Sequence, residues 1–269
     1  MNRLKIWQQV RKSYYWVNQN FNNMLTCPHC QSSNIVKNGF TSYGKQNYRC
    51  HNCKRQAVER ALAIRFSRED LLETLLLERL SLRAIARILR VSLGWVVKRA
   101  KQYWQTVPER LPVGKIETPE LALYCLEADE LWSFVGAKDC PEWLWLAIER
   151  RTRLVVGFHI GGRGQEGALG LWLSIPKKLR EKALVFTDDR AANRWDAYAT
   201  VFVKGQHQVE GKRQTVLIER FNNTLRQRCA RLVRKTLSFS KTWQNHYLAI
   251  KYFLVHYNLE RLAKIPSLS

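Results

Sequence analysis

Apolar residues recur along this chain at two different periods, and the change of period divides it. From Ser67 to Leu80, Leu71, Leu72, Leu75, Leu76 and Leu80 fall at helical spacing. Ser67, with Asp70 three residues on, predicts a capped start. Leu82 to Leu89 predicts a short second helix with Ile85, Ala86, Ile88 and Leu89 turned inward. Arg90-Val91 leaves room only for a tight connection. Ser92 then stands where a cap belongs, before a third helix running to about Trp104. Val96, Val97, Ala100 and Tyr103 form its inner side, with Trp95, Lys98, Arg99 and Gln102 on the other. Pro108, Pro112, Gly114 and Pro119 mark a break, and beyond it the period shortens to two. Leu121 to Glu130, Glu142 to Glu149 and Leu154 to Ile160 predict three strands, and Ala183 to Phe186 a short buried one. Helical patterns return at Gln165 to Ile175, Ala191 to Thr200, Thr215 to Arg234 and Ser240 to Asn258. The third of these buries Ile218, Phe221, Leu225, Cys229 and Leu232; the last lines up Trp243, Tyr247, Ile250, Leu254 and Tyr257, a stripe suited to packing on the same domain. Three strands in succession, then helix and strand alternating, predict an α/β domain with a mixed sheet.

Cysteine spacing adds a small module ahead of the helices. Cys27-Pro-His-Cys30 and Cys50-His-Asn-Cys53 are two C-x-x-C knuckles about 20 residues apart, the spacing of a zinc ribbon. Each knuckle folds two thiolates to one side of a turn, and two knuckles complete a tetrahedron around one structural Zn²⁺. Asn38-Gly39 and Tyr43-Gly44 are turn signals between them. Seven cysteines in all leave Cys125, Cys140 and Cys229 as reduced, buried apolar groups. The domain boundaries that follow are a basic aromatic arm at 1–23, the ribbon at 24–60, a helix-turn-helix at 66–105, a linker at 106–120, the α/β domain at 121–236 and a C-terminal helical segment at 237–269.

Charge narrows the partner. Lys and Arg number 45 against 22 Asp and Glu, a net charge of +23. Such an excess favours a polyanion, and double-stranded DNA is the expected one. The helix, tight turn and capped helix are the helix-turn-helix pattern. It would set Ser92, Trp95, Lys98, Arg99 and Gln102 toward a major groove. No apolar run approaches the roughly 18 residues of a membrane span, so no membrane partner is expected and a cytoplasmic, nucleoid-associated location follows.

Acidic residues stand out in so basic a chain when they end strands. Asp129 closes the first strand of the α/β domain, Asp188 follows the short buried one, and Glu219 lies one place from the buried stripe of the long helix. Carboxylates so placed can converge on two Mg²⁺ (or Mn²⁺) ions, which prefer oxygen ligands and support phosphoryl transfer. Glu127 and Glu130 compete with Asp129, and Asp189 with Asp188; alternation puts Glu127 on the face of Asp129, where it could also support that acid from behind.

These same segments carry a resemblance. Glu127 to Lys138 (EADELWSFVGAK) resembles the first acidic motif of bacterial insertion-sequence transposases of the IS-one family. Ile218 to Arg228 (IERFNNTLRQR) and Arg234 to Lys241 (RKTLSFSK) resemble its third motif and the tail after it. The ribbon with its helix-turn-helix is similar to that family's DNA-binding half, and the likeness runs from about Thr26 to Asn258. It implies a ribonuclease-H-like catalytic domain with an Asp-Asp-Glu triad, here Asp129, Asp188 and Glu219. It also implies binding of element ends and target DNA, 3′-end cleavage and strand transfer by at least a dimer. Arg226 matches the basic residue that such transposases set against phosphate, and Asn223, one turn after Glu219, would share its face. One departure is the stretch Asp188 to Arg194 ahead of Trp195-Asp-Ala-Tyr198, longer than the family pattern. Two rival readings share the charge and the modules: an inactive repressor derived from a transposase, and a structure-selective metal-dependent nuclease.

Overall fold

The computed structural model describes residues 26–58, 67–114, 123–188, 197–202, 205–209 and 214–265. They belong to two compact units, Met1–Ser67 and Arg68–Ser269. The arm expected at 1–23 lies outside the described residues.

In the first unit, β1 (Ile35–Phe40), β2 (Gln46–Cys50) and β3 (Gln56–Val58) form an antiparallel sheet in that order. The three-residue β3 is too short to leave a sequence signal. Gly39 and Gly44 take φ of +68° and +72°, which only glycine adopts without strain. Thr41 donates to Lys45 O and Gly44 to Thr41 O, closing the turn between β1 and β2. Tyr48, Cys27 and Cys50 are its only buried apolar side chains among the described residues. So small a core needs a staple.

The second unit opens with α1 (Arg68–Leu76), α2 (Leu82–Leu89) and α3 (Leu93–Thr106). Leu72, Ile85, Ala86, Leu89 and Val96 form their common core. Ser81 caps α2 by accepting from Ala84 N, and Ser92 caps α3 by accepting from Trp95 N at 3.2 Å. Between them Arg90 takes φ 54°, ψ 50°, and the Val91 N–H returns to Ala86 O, which makes the turn tight. Three expectations need correcting. The first helix stops at Leu76. Ile88 is 54 % exposed, because a two-turn helix buries one narrow stripe and residue 88 falls off it. Trp95 is half-buried against the three-helix core, so only Lys98, Arg99 and Gln102 of its group face outward.

The remaining strands are β4 (Tyr124–Phe134), β5 (Pro141–Glu149), β6 (Val155–Gly161), β7 (Ala183–Thr187) and β8 (His207–Val209). They make one mixed sheet in the order β6-β5-β4-β7-β8. β4, β5 and β6 are antiparallel neighbours, while β7 runs parallel to β4 and β8 to β7. Alternation along β4 sorts its two faces. Leu126 and Ala128 join Trp145, Ala147, Val156 and Val185 against α4 (Gln165–Ser174) and α5 (Lys177–Glu181). Two glycines let α4 approach: a Cβ on Gly167 would lie 2.3 Å from Trp145 Nε1, and one on Gly170 2.5 Å from the His159 ring.

The opposite face carries α6 (Val216–Arg228) and α7 (Trp243–Leu262), and α3 also packs on α7. Buried His246 of α7 bridges Ser133 of β4 and Ser240. Buried Asn258 accepts from Val155 N and donates to Val155 O and to Pro112 O, so the proline-marked segment is tied to the sheet. The long helix expected to Arg234 ends at Arg228. Cys229 is extended (φ −106°, ψ 103°) and a 3₁₀ turn, Ala230–Leu232, follows, which still buries Leu232 and lays Arg231 over Trp104. The last helix is capped by Thr242 rather than Ser240, which forms an isolated parallel bridge with Val135 and accepts from the Gly136 N–H. Residues 197–200 are turns instead of helix, and 191–196 lie outside the described residues. Of the three scattered cysteines expected to be buried, Cys140 is exposed and Cys125 and Cys229 are intermediate.

Candidate functional site

Strand β4 supplies two carboxylates to the α6 face, Glu127 and Asp129; it runs on to Phe134, so Asp129 lies within the strand and does not close it as expected. The parallel ladder pairs Glu127 with Phe186 of β7. Asp129 stands two residues further along β4, and Asp188 two residues beyond Phe186, just past the end of β7 at Thr187. Asp129 Oδ2 accepts from Asn222 Nδ2 at 2.7 Å and its Oδ1 from the Glu130 N–H at 2.8 Å. Asn222 is 5 % exposed, and its Oδ1 is buried without a hydrogen-bond partner. Glu219 lies one turn earlier on α6 and is exposed. The phenol of Tyr198 is held well above its ordinary range, first by burial and then by Glu130, Asp129 and Asp188. Tyr198 also donates to Glu130 Oε2 at 3.3 Å. The three expected acids do not close on one another: among the described residues, only the four ribbon cysteines place three or more His, Cys, Asp or Glu ligand atoms mutually within 4.8 Å.

Two features of this site were not foreseen. Asn222, not Asn223, reaches Asp129; Asn223 is exposed. One residue is a rotation of about 100° on a helix, which periodicity alone does not resolve. Glu127 is 3 % exposed and accepts from the backbone N–H groups of Leu217 and Ile218 at the start of α6, at 2.8 and 3.0 Å. Arg226 follows Asn222 by one turn. Burial, then Arg234, lower its guanidinium pKa while Asp129 works the other way, and its buried Nε has no hydrogen-bond partner. Arg226 thus lies within the electrostatic reach of Asp129 and of Arg234.

The four cysteines converge as their spacing predicts. Cys27 and Cys53 Sγ are 3.5 Å apart, Cys30 and Cys50 Sγ 3.6 Å. A tetrahedron with Zn–S bonds of about 2.3 Å has edges of about 3.8 Å, so the thiols already stand near ligand separation. N–H groups of Cys53 and Asn52 point at Cys50 and hold its thiol down to about 6. Desolvation opposes the same effect at Cys27, but the N–H groups of His29 and Cys30 keep that thiol below its ordinary value. The ribbon from Thr26 to Val58 contains no Asp or Glu and has five basic residues, Lys37, Lys45, Arg49, Lys54 and Arg55.

On α3, Lys98, Arg99 and Gln102 are exposed in a row. Arg99 donates to Gln102 Oε1 at 3.2 Å, lies 5.7 Å from the Trp95 ring centre and approaches Glu69 at 3.8 Å. Ser92 is also exposed, its hydroxyl occupied by the cap. Among the described residues no helix is long and apolar enough to cross a membrane.

Comparison with known proteins bears on the second half of the chain. Insertion element IS1 4 protein InsB of Escherichia coli (strain K12) is 37% identical over 146 residues, which cover 52% of this chain and 83% of that protein. Insertion element IS1 protein InsB of Shigella flexneri is 39% identical over 137 residues, 49% of this chain and 98% of that protein. Among solved structures, a Mos1 transposase paired-end complex with left transposon end is 15% identical over 75% of this chain and 79% of that one, with a TM-score of 0.27, too low to bear on the fold. Residues 122–259 match the family described as IS1 transposase. That stretch spans β4 with Asp129, the end of β7 with Asp188 and the whole of α6 with Glu219, and by it the chain belongs to the IS1 transposase family.

Proposed function

We propose that this protein is an Asp-Asp-Glu transposase that binds the ends of an insertion element, cuts them at the 3′ side and joins them to target DNA. The observation that carries the reading is the meeting of β4, β7 and α6. Asp129 lies two residues beyond the Glu127–Phe186 pair on β4, Asp188 directly follows the end of the neighbouring parallel β7, and α6 is fastened to Asp129 by Asn222 with Glu219 one turn away. A sheet with three antiparallel strands followed by two parallel ones agrees with the ribonuclease-H-like domain that the family resemblance implies. The residues fit a divalent cation: hard oxygen donors, and a buried Asn222 Oδ1 left without a partner beside Asp129. Asp129, Asp188 and Glu219 would hold two Mg²⁺ ions, or Mn²⁺, and such ions supply Lewis-acid stabilisation of the attacking and leaving oxygens. Arg226, with Arg234 beside it, would hold a backbone phosphate next to these acids, and Asn223 the flanking strand.

End recognition falls to the other modules. The acid-free ribbon, with one Zn²⁺ in its four thiolates, would grip backbone phosphate. Lys98, Arg99 and Gln102 would enter a major groove, with Ser92 and Trp95 at the α3 N-terminus steadying them. Handling two ends and a target asks for at least two copies. The work is expected in the cytoplasm, on the nucleoid.

Asp129→Asn tests this on end-containing DNA with Mg²⁺. Cleavage should fall to background while end binding by gel shift stays within about twofold. A mutant that cuts normally removes the triad. Wild-type protein that binds and never nicks makes it a repressor; cutting without any joining makes it a nuclease.

A further inference from the structure

We propose that the Glu127–Arg150 ion pair is the positioning device that holds the three acid-bearing segments at their working separation. The proposal rests on the reading of Asp129, Asp188 and Glu219 as the metal-holding acids. A carboxylate as deeply buried as Glu127 requires full hydrogen-bond coverage. Its Oε1 receives Arg150 Nε at 2.9 Å, and its Oε2 receives the Leu217 and Ile218 N–H groups. Those donors belong to the first turn of α6, where N–H groups lack helical partners and the helix end is positive. Thr215, directly before the helix, provides no side-chain cap. A carboxylate 90 residues earlier in the chain does so instead. Because Glu219 sits in that same first turn, Glu127 sets the height of Glu219 against β4.

Arg150 extends the same device to the remaining segments. Its Nη2 donates to the backbone carbonyl of Gln214 and, at 2.9 Å, to Gln214 Oε1, which holds the lead-in to α6. Its guanidinium lies 3.7 Å over the Phe186 ring. Phe186 precedes Asp188 by two residues, as Glu127 precedes Asp129. One ion pair therefore touches β4, β7 and α6, each within two residues of an expected metal-holding acid or in its turn. Neither side chain reaches the reacting atoms; both act through the backbone that carries the acids.

The test uses the full zinc-loaded chain. Mn²⁺ binding without DNA is followed by the loss of the free-ion paramagnetic signal, and cleavage of end DNA is followed against Mg²⁺ concentration. Glu127→Gln keeps an acceptor and its size but loses the charge that holds Arg150. It should weaken Mn²⁺ binding roughly tenfold to a hundredfold, the usual penalty for losing a group that orients metal ligands. The Mg²⁺ concentration for half-maximal cleavage should rise by a similar factor, with end-DNA affinity and circular dichroism unchanged. Arg150→Lys, which keeps charge and drops the Gln214 and Phe186 contacts, stands in if Glu127→Gln does not fold, and should show the same split to a smaller degree. Wild-type metal dependence in the folded variants, or a loss of active fraction without any change in half-saturation, overturns the proposal. Asp129→Asn separates the two levels. If wild-type protein has no Mn²⁺ site that this substitution removes, the acid assignment fails and the device with it. If it has one and Glu127→Gln leaves it intact, only the device fails.

Discussion

Asn258 offers the most direct measurement of how the second unit is held together. Its side chain is 0 % exposed and forms three hydrogen bonds: from Val155 N at 2.9 Å, to Val155 O at 2.7 Å and to Pro112 O at 3.0 Å. The first two satisfy both peptide groups of the residue that starts β6, as a neighbouring strand would. Asn258→Leu keeps most of the volume and removes every one of them. At about 1 kcal/mol net per bond the loss is about 3 kcal/mol, and stranding buried backbone groups raises it to about 3–5 kcal/mol. For a unit of this size about 2–4 °C of melting temperature accompanies each kcal/mol, so a drop on the order of 10 °C is expected. Calorimetry on the zinc-saturated chain measures it. Releasing Pro112 should also speed proteolysis between residues 107 and 114. A loss below about 1 kcal/mol, with unchanged proteolysis, would refute the claim that these bonds are what join α7, β6 and the proline segment.

The remaining predictions follow from other contacts. Gly167→Ala gains about 1 kcal/mol of helix propensity yet drives a methyl into the Trp145 ring and Gly162 O, so net destabilisation of about 1–3 kcal/mol is expected in a urea titration; a more stable variant would contradict the packing. His246 is pushed down to about 4 by burial, with Arg231 adding to it, while Ser133 and Ser240 hydroxyls face its nitrogens. The unfolded chain takes up that proton near pH 6.5 and the folded one only near 4, so stability declines as pH falls between those values. His246→Gln should flatten the urea midpoint between pH 7 and pH 5 relative to wild type; parallel profiles would count against it. Chelation should release one zinc per chain, expose four titratable thiols and abolish end binding, while the calorimetric transition of the second unit stays in place. Absence of zinc by elemental analysis would end that reading of the cysteines.

Much of this architecture could be read from local pattern. The cysteine knuckles, the three helices with Ser92 as a cap, and β4 to β7 each advertise themselves through spacing within a dozen residues. What escaped depends on neighbours far away in sequence. The choice between Asn222 and Asn223 is a rotation of α6 that only the sheet beneath it decides. Alternation sets Glu127 on the face of Asp129, as a rival to it or as a support behind it, but only the fold shows that it caps a helix 90 residues later. The end of α6 at Arg228 was hidden because the apolar repeat runs on through Cys229 and Leu232, and a 3₁₀ turn buries Leu232 as well as a helix would. Ser240 reads as a helix cap by type, yet its partners are Val135 and His246.

β4 spends its even-numbered residues, Leu126 and Ala128, on the hydrophobic interior and its odd-numbered ones, Glu127 and Asp129, on polar contacts with α6. Parity along this strand is therefore a reading frame in space. Deleting or inserting one codon between Tyr124 and Asp129 would turn acids toward α4 and leucine toward α6 in a single event, whereas a conservative exchange harms one contact at a time. In a library of single-residue deletions this strand should be the least forgiving stretch of the molecule, more so than either knuckle turn.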